Sequence, residues 1–260
     1  MVDRRSTRRT FMLDLGKGGL AVAIFAVTAM SCSSSDPERT SQTSGNPDQP
    51  APTGPSTISG NTTTGGVTWE RVNLGFVSAY VLARRGEATI VDTGVADSEG
   101  DIEASLATLD LRWDDVSNVI VTHLHADHQG SLPAVMDLAA AATGYAGSND
   151  IAGISSPREL VGVGDGDTVF DLTIIDTPGH TPGHISVLDE RSGLLVAGDA
   201  MTGGDGVPAG ANPQFTADMV IAVESIKKLA DFSYDTVVFG HGEPVIGNAS
   251  NQVAALAASL

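Results

Sequence analysis

Three of the chain's six histidines fall within six consecutive positions, His123-Leu124-His125-Ala126-Asp127-His128, where the run Val119-Ile120-Val121-Thr122 ends. Any fold this chain adopts must therefore end a buried strand in a cluster of polar, ion-binding side chains. In an extended chain, residues two apart point the same way. His123, His125 and Asp127 can then converge, while the chain turns at His128 to begin a helix. Imidazole and carboxylate groups at this spacing suit Zn²⁺ or Fe²⁺, and enough of them are present to grip one ion or two.

The other histidines repeat the arrangement. His180 and His184 lie in Thr177-Pro178-Gly179-His180-Thr181-Pro182-Gly183-His184, and His241 lies in Phe239-Gly240-His241-Gly242. Asp199 follows another apolar run in Ala197-Gly198-Asp199-Ala200. Each candidate ligand thus sits at a strand end beside glycine or a turn, where binding groups collect on a rigid scaffold. The single cysteine, Cys32, allows no internal disulfide and no thiolate ligands in the domain that follows it. Any metal must be held by His and carboxylate alone.

The remaining segments read as a fold of mixed strands and helices. Short strands are expected over 67–72, 77–83, 88–91, 118–122, 169–175, 185–189, 194–197 and 236–239. Helices are expected over 98–109 with Ser98 as cap, over 131–142 with Pro133 in the first turn, over 216–229, and over 248–260. Segment 203–214, rich in Gly, Pro and Ala and free of Lys and Arg, is expected to form a loop over the site. It offers no clamp for a phosphate or carboxylate.

Charge narrows the choice of partner. The formal net charge is −18, from 14 basic and 32 acidic residues. Five of the basic and two of the acidic residues precede Cys32, so the rest of the chain carries 9 against 30. Such a surface repels phosphate backbones, which disfavours a nuclease or other nucleic-acid partner. A small-molecule substrate is expected, and oligomeric state is not legible.

Residues 1–32 read as a targeting segment. Thr7-Arg8-Arg9-Thr10-Phe11-Met12 resembles a twin-arginine motif, and the apolar run 20–30 is too short to span a bilayer. The segment resembles a Tat signal peptide, and Ser31-Cys32 resembles a lipoprotein processing site. Export to the cell envelope follows as an expectation, with membrane attachment only through a lipid on Cys32; plain cleavage near Cys32 is the alternative. Residues 33–66 are nearly all Ser, Thr, Pro, Gly, Asp and Asn and read as a disordered tether, leaving 67–260 as the catalytic domain.

The order His-x-His-x-Asp-His, Pro-Gly-His, Gly-Asp, Gly-His-Gly, preceded by Asp92 in Val91-Asp92-Thr93-Gly94, resembles the metallo-β-lactamase superfamily over roughly residues 67 to 250. The resemblance implies an α+β fold, an αββα sandwich with metals at one edge between the sheets. It implies that His123, His125 and His180 hold one divalent ion, that Asp127, His128 and His241 hold a second, and that Asp199 bridges them. Zinc is the first choice, with iron or manganese admitted by the same ligands. Asp92 and His184 would stand behind the ligands or face substrate. A metal-bridging hydroxide would attack an ester, lactone or thioester carbonyl, with Asp127 orienting it and moving a proton. Asp199 sets the chain apart from dedicated β-lactamases, which usually lack a bridging Asp there. His125 sets it apart from flavodiiron oxygen reductases, which resemble a pattern with Glu at that place. A mononuclear iron sulfur dioxygenase is the alternative from another enzyme class, followed by a β-lactamase or a non-catalytic metal-binding lipoprotein.

Overall fold

A computed structural model describes residues 59–60 and 65–260. The targeting segment, Cys32 and most of the tether lie outside the described residues. Within 33–66 one departure is visible: β1 (Ser59–Gly60) pairs antiparallel with Trp69 and Glu70.

Strand formation follows the alternation of apolar side chains. The chain runs through β2 (Thr68–Asn73), β3 (Ser78–Arg84), β4 (Glu87–Val91), α1 (Glu99–Thr108), β5 (Val116–Val121), α2 (Ala126–Gln129), α3 (Leu132–Leu138), β6 (Thr143–Gly147) and β7 (Val161–Val163). Strands β1 to β7 form one sheet in sequence order, antiparallel as far as β4 and parallel from β4 to β7. Next come β8 (Thr168–Val169), β9 (Leu172–Asp176), β10 (Ile185–Asp189), β11 (Leu194–Val196), β12 (Met201–Gly204), β13 (Val207–Gly210), α4 (Met219–Leu229), β14 (Thr236–Val238), β15 (Val245–Ile246) and α5 (Ala249–Ser259). The second sheet has the order β15-β14-β11-β10-β9-β8, with β14 parallel to β11. β12 and β13 make a separate hairpin.

Three apolar clusters stack these elements into four layers. Tyr80, Leu82 and Ile120 of the first sheet meet Leu172, Ile174, Val187 and Val196 of the second in the central cluster. Their neighbours Val81, Val119 and Val121 point outward, against Ile102 and Leu106 of α1 and Leu132 and Met136 of α3. On the far side Leu188, Leu195 and Val237 pack on Ile226 and Leu229 of α4 and Val253 of α5. The period-2 switch of side chains across each strand thus produces the αββα sandwich, with both sheets buried on both faces. No helix among the described residues is long and apolar enough to cross a membrane.

Several local expectations are corrected. Ser98 makes no side-chain cap; instead its N–H donates to Ser131 Oγ at 2.7 Å, which ties α1 to the start of α3. The expected strand 169–175 is a hairpin of β8 and β9, turning at Phe170 and Asp171, both with positive φ. The helix expected from 216 starts at Met219, because Asp218 accepts from Val220 N and Ile221 N. The helix expected over 131–142 stops at Leu138. Segment 203–214 is no plain loop, since 207–210 is the second strand of the β12–β13 hairpin.

Candidate metal centre

The strand ends deliver the polar residues to one edge of the sandwich. β5 stops at Val121, and the next seven residues carry His123, His125, Asp127 and His128 into the short α2. The loop between β9 and β10 brings His180 and His184, the turn after β11 brings Asp199, and the loop after β14 brings His241. Ring and carboxylate atoms of His123, His125 and His180 lie within 4.8 Å of one another, as do those of His123, His128 and Asp199, and those of Asp127, His128 and His241. The helix begins at Ala126, two residues before the expected turn at His128.

Hydrogen bonds behind the rings determine which nitrogen faces inward. The hydroxyl of Thr122 has one proton, and Asp92 carboxylate oxygens 2.8 and 3.0 Å away accept it. Nδ1–H of His123 must therefore donate to Thr122 Oγ1, 3.0 Å away, leaving Nε2 with its lone pair toward the site. His128 Nδ1 donates to Asp92 Oδ2 at 2.8 Å, and His241 Nδ1 donates to the carbonyl of Phe76 at 2.6 Å. His180 Nδ1 donates to Thr216 Oγ1 at 3.2 Å, whose own proton goes to Asn212 O. Four imidazoles are thus oriented with Nε2 inward, as metal ligands are by their outer partners. His125 turns Nδ1 inward, 3.1 Å from His123 Nε2 and 2.9 Å from His180 Nε2.

These groups fit a metal better than they fit each other. Two ligands of a tetrahedral zinc ion stand about 3.3 Å apart, given bonds of about 2.0 Å. His128 Nε2 is 3.4 Å from Asp199 Oδ1, and Asp199 Oδ2 is 3.3 Å from Nε2 of both His180 and His241. His241 Nε2 is 3.4 Å from Asp127 Oδ2. Asp199 Oδ1 is buried with no hydrogen-bond partner, a cost that a coordinated cation removes. Burial opposes the charge on Asp199, yet the facing His128 and His241 outweigh it and hold its carboxyl well below the usual range. Burial likewise opposes charge on His128, but Asp92 and Asp199 push it up to about 9, favouring a proton that a cation would displace.

His184 takes another role. Its Nε2 accepts the backbone N–H of Asp199 at 2.9 Å, and its Nδ1 donates to Thr177 Oγ1 at 2.8 Å. Both nitrogens are engaged, so this ring positions Asp199. Gly240 completes the packing: a Cβ there would intrude on Asp199 Oδ1 and the His128 ring. The carbonyl of Gly240 accepts from Ser78 N at 2.8 Å, and buried Arg71 donates to Gly242 O at 2.9 Å, so the His241 loop is fastened to β2 and β3.

Sequence reading misses three residues here. Asp150, fully buried, accepts from Leu124 N at 3.1 Å, Thr181 Oγ1 at 2.6 Å and Gly183 N at 2.7 Å, joining the two histidine loops. No spacing rule flags a lone aspartate after a glycine-rich strand. Phe76 and Phe215 are the other two. With His125, Asp127, Thr202 and Asn212 they line a cavity of about 490 Å³ above the cluster.

Comparison with known proteins agrees with this architecture. The family description "Metallo-beta-lactamase superfamily" matches residues 72–241. A probable metallo-hydrolase of Methanocaldococcus jannaschii is 35% identical over 158 residues, covering 58% of this chain and 70% of that one. A hydroxyacylglutathione hydrolase of Methylobacillus flagellatus is 30% identical over 175 residues, covering 65% of this chain and 64% of that one. In structure, a metallo-beta-lactamase family protein from Thermus thermophilus superposes with a TM-score of 0.59 at 24% identity, over 75% of this chain and 79% of that one.

Proposed function

The chain belongs to the metallo-beta-lactamase superfamily, and from that premise we propose that it is a metal-dependent hydrolase acting on the carbonyl of an ester, lactone or thioester. One observation carries this reading: the Nε2 atoms of four imidazoles and a carboxylate with one buried, unpartnered oxygen converge beneath an open cavity. His123, His125 and His180 would hold one ion, Asp127, His128 and His241 a second, with Asp199 between them and zinc the first choice. Such ions would supply Lewis acidity, polarising a carbonyl and making water nucleophilic at neutral pH.

The side chains do the rest. Asp127 lies on the cavity wall, partly exposed, where its carboxylate can orient water and return a proton to the leaving group. Asp92 keeps His128 in one tautomer through Nδ1, and His184 holds the Asp199 backbone in place. The relative named hydroxyacylglutathione hydrolase supports thioesters as one member of the substrate class. The test is metal content of the purified full chain, by elemental mass spectrometry, alongside an ester, lactone and thioester panel. About two zinc ions per chain and chelator-sensitive hydrolysis are expected. One iron with oxygen uptake would replace the hydrolase by the sulfur dioxygenase, and no metal after reconstitution would overturn both.

A further inference from the structure

Two large aromatic side chains stand open to solvent at the rim of the cavity, Phe76 at 63% exposure and Phe215 at 59%. Exposed aromatic surface lining a concavity of this size marks a place where an apolar ligand group is covered. Both are anchored to the candidate metal ligands. The Phe76 carbonyl accepts from His241 Nδ1, and its ring lies nearly parallel to that imidazole with centroids 6.2 Å apart. Phe215 N donates to Asn212 O at 3.1 Å, and the adjacent Thr216 accepts from His180. The two apolar walls are therefore set in register with two different candidate ligands of the centre, His241 and His180.

Charge works in the same direction. Among the described residues no Lys or Arg lines the cavity, its ionisable groups being His125, His241, Asp127 and Asp199, and the chain as a whole carries −18. A carboxylate on a substrate's tail would meet no lysine or arginine of the described residues there. A neutral oxygen would meet Asn212, whose Oδ1 already accepts from Gln214 N at 3.0 Å and whose amide hydrogens remain to donate. We propose that the site selects neutral substrates bearing an apolar acyl group, with Phe76 and Phe215 as the specificity-determining walls, and that it discriminates against anionic conjugates such as glutathione thioesters. This rests on the hydrolase reading above.

The experiment pairs turnover with binding in the metal-loaded full chain. Hydrolysis is compared for acetyl, hexanoyl and adipoyl monoesters of one phenol, the last replacing the terminal methyl of the hexanoyl chain with a carboxylate. The hexanoyl ester should exceed the adipoyl ester in kcat/KM by about 100-fold, on the order expected when a buried charge lacks a partner. Phe215→Ala and Phe76→Leu should raise KM for the hexanoyl ester by about 10-fold, with a smaller effect on acetyl. In parallel, calorimetry measures binding of 2-octanone, which cannot be hydrolysed. Tight ketone binding weakened by the Phe variants, with no ester turned over, would sink the hydrolase reading while leaving the pocket assignment standing. Hydrolysis indifferent to chain length, tail charge and both variants would overturn the pocket assignment alone.

Discussion

Nε2 of His184 lies 2.9 Å from the backbone nitrogen of Asp199 and accepts its proton, so this histidine shapes the carboxylate's approach while His180, four residues earlier, faces the cluster directly. The pair Pro-Gly-His-Thr-Pro-Gly-His offers two equivalent histidines in sequence and two different ones in space. His180→Ala should remove a direct ligand and abolish stoichiometric binding at one position. His184→Ala should weaken metal affinity by about 10- to 100-fold, the usual cost of losing an outer partner. Chelator competition followed by elemental analysis separates the two, and a larger loss in His184→Ala would reverse the assignment.

Asp150→Asn removes the negative charge that three donors share and turns part of the carboxylate into a donor facing donors. Leu124 N, Thr181 Oγ1 and Gly183 N cannot all be satisfied afterwards. Urea denaturation should show a loss of about 2–3 kcal/mol, given about 1–3 kcal/mol for each buried group left unpaired. Metal affinity should fall as well, because both histidine loops lose their common tether. Unchanged stability together with unchanged affinity would remove Asp150 from the account.

Gly240→Ala places a methyl group against the Asp199 carboxylate and the His128 ring. Secondary structure by circular dichroism should stay close to the parent's, while bound metal falls to well under half. A variant that folds and loads normally would show that the His241 loop can shift away.

Burial keeps His184 neutral and lowers its pKa to about 3. The unfolded chain takes up that proton near pH 6.5, so stability present above 6.5 is lost as pH falls from 6.5 toward 3. In chelator-treated protein, the fall should be shallower in His184→Gln by up to about 1.4 kcal/mol per pH unit, one proton's worth. Denaturant midpoints measured from pH 7 to pH 4.5 decide this. Equal slopes in the two proteins would mean that His184 is protonated in the folded state.

What can be read from the sequence follows from how local each signal is. The His123–His128 cluster, and the strands alternating between two apolar faces, announce themselves within a few residues. β6 cannot be found that way, since two of its five residues are glycines and Gly147 is required because Gly183 O lies where its Cβ would be. Asp150 is hidden for a similar reason: its three partners come from two distant loops and leave no periodic trace. The β12–β13 hairpin reads as a loop because its strands are rich in Gly, Pro and Ala, whose propensities point away from pairing. Phe76 and Phe215 look like ordinary apolar residues until the fold leaves them uncovered.

His128 and His241 are 113 positions apart, yet their Nε2 atoms lie 3.5 Å from each other in the cluster. The loop that carries His241 follows β14, so β14 must dock beside β11 for the last histidine to reach the cluster. Contacts so distant in sequence are slow to form, because the entropy of loop closure opposes them first. A chain that has built only its first sheet can offer His123, His125 and His128 to an ion, a loose and incomplete grip. Full coordination requires β14 to dock, so an ion held by all of these residues would mark a closed sandwich, and its binding energy would fall mainly on the native state.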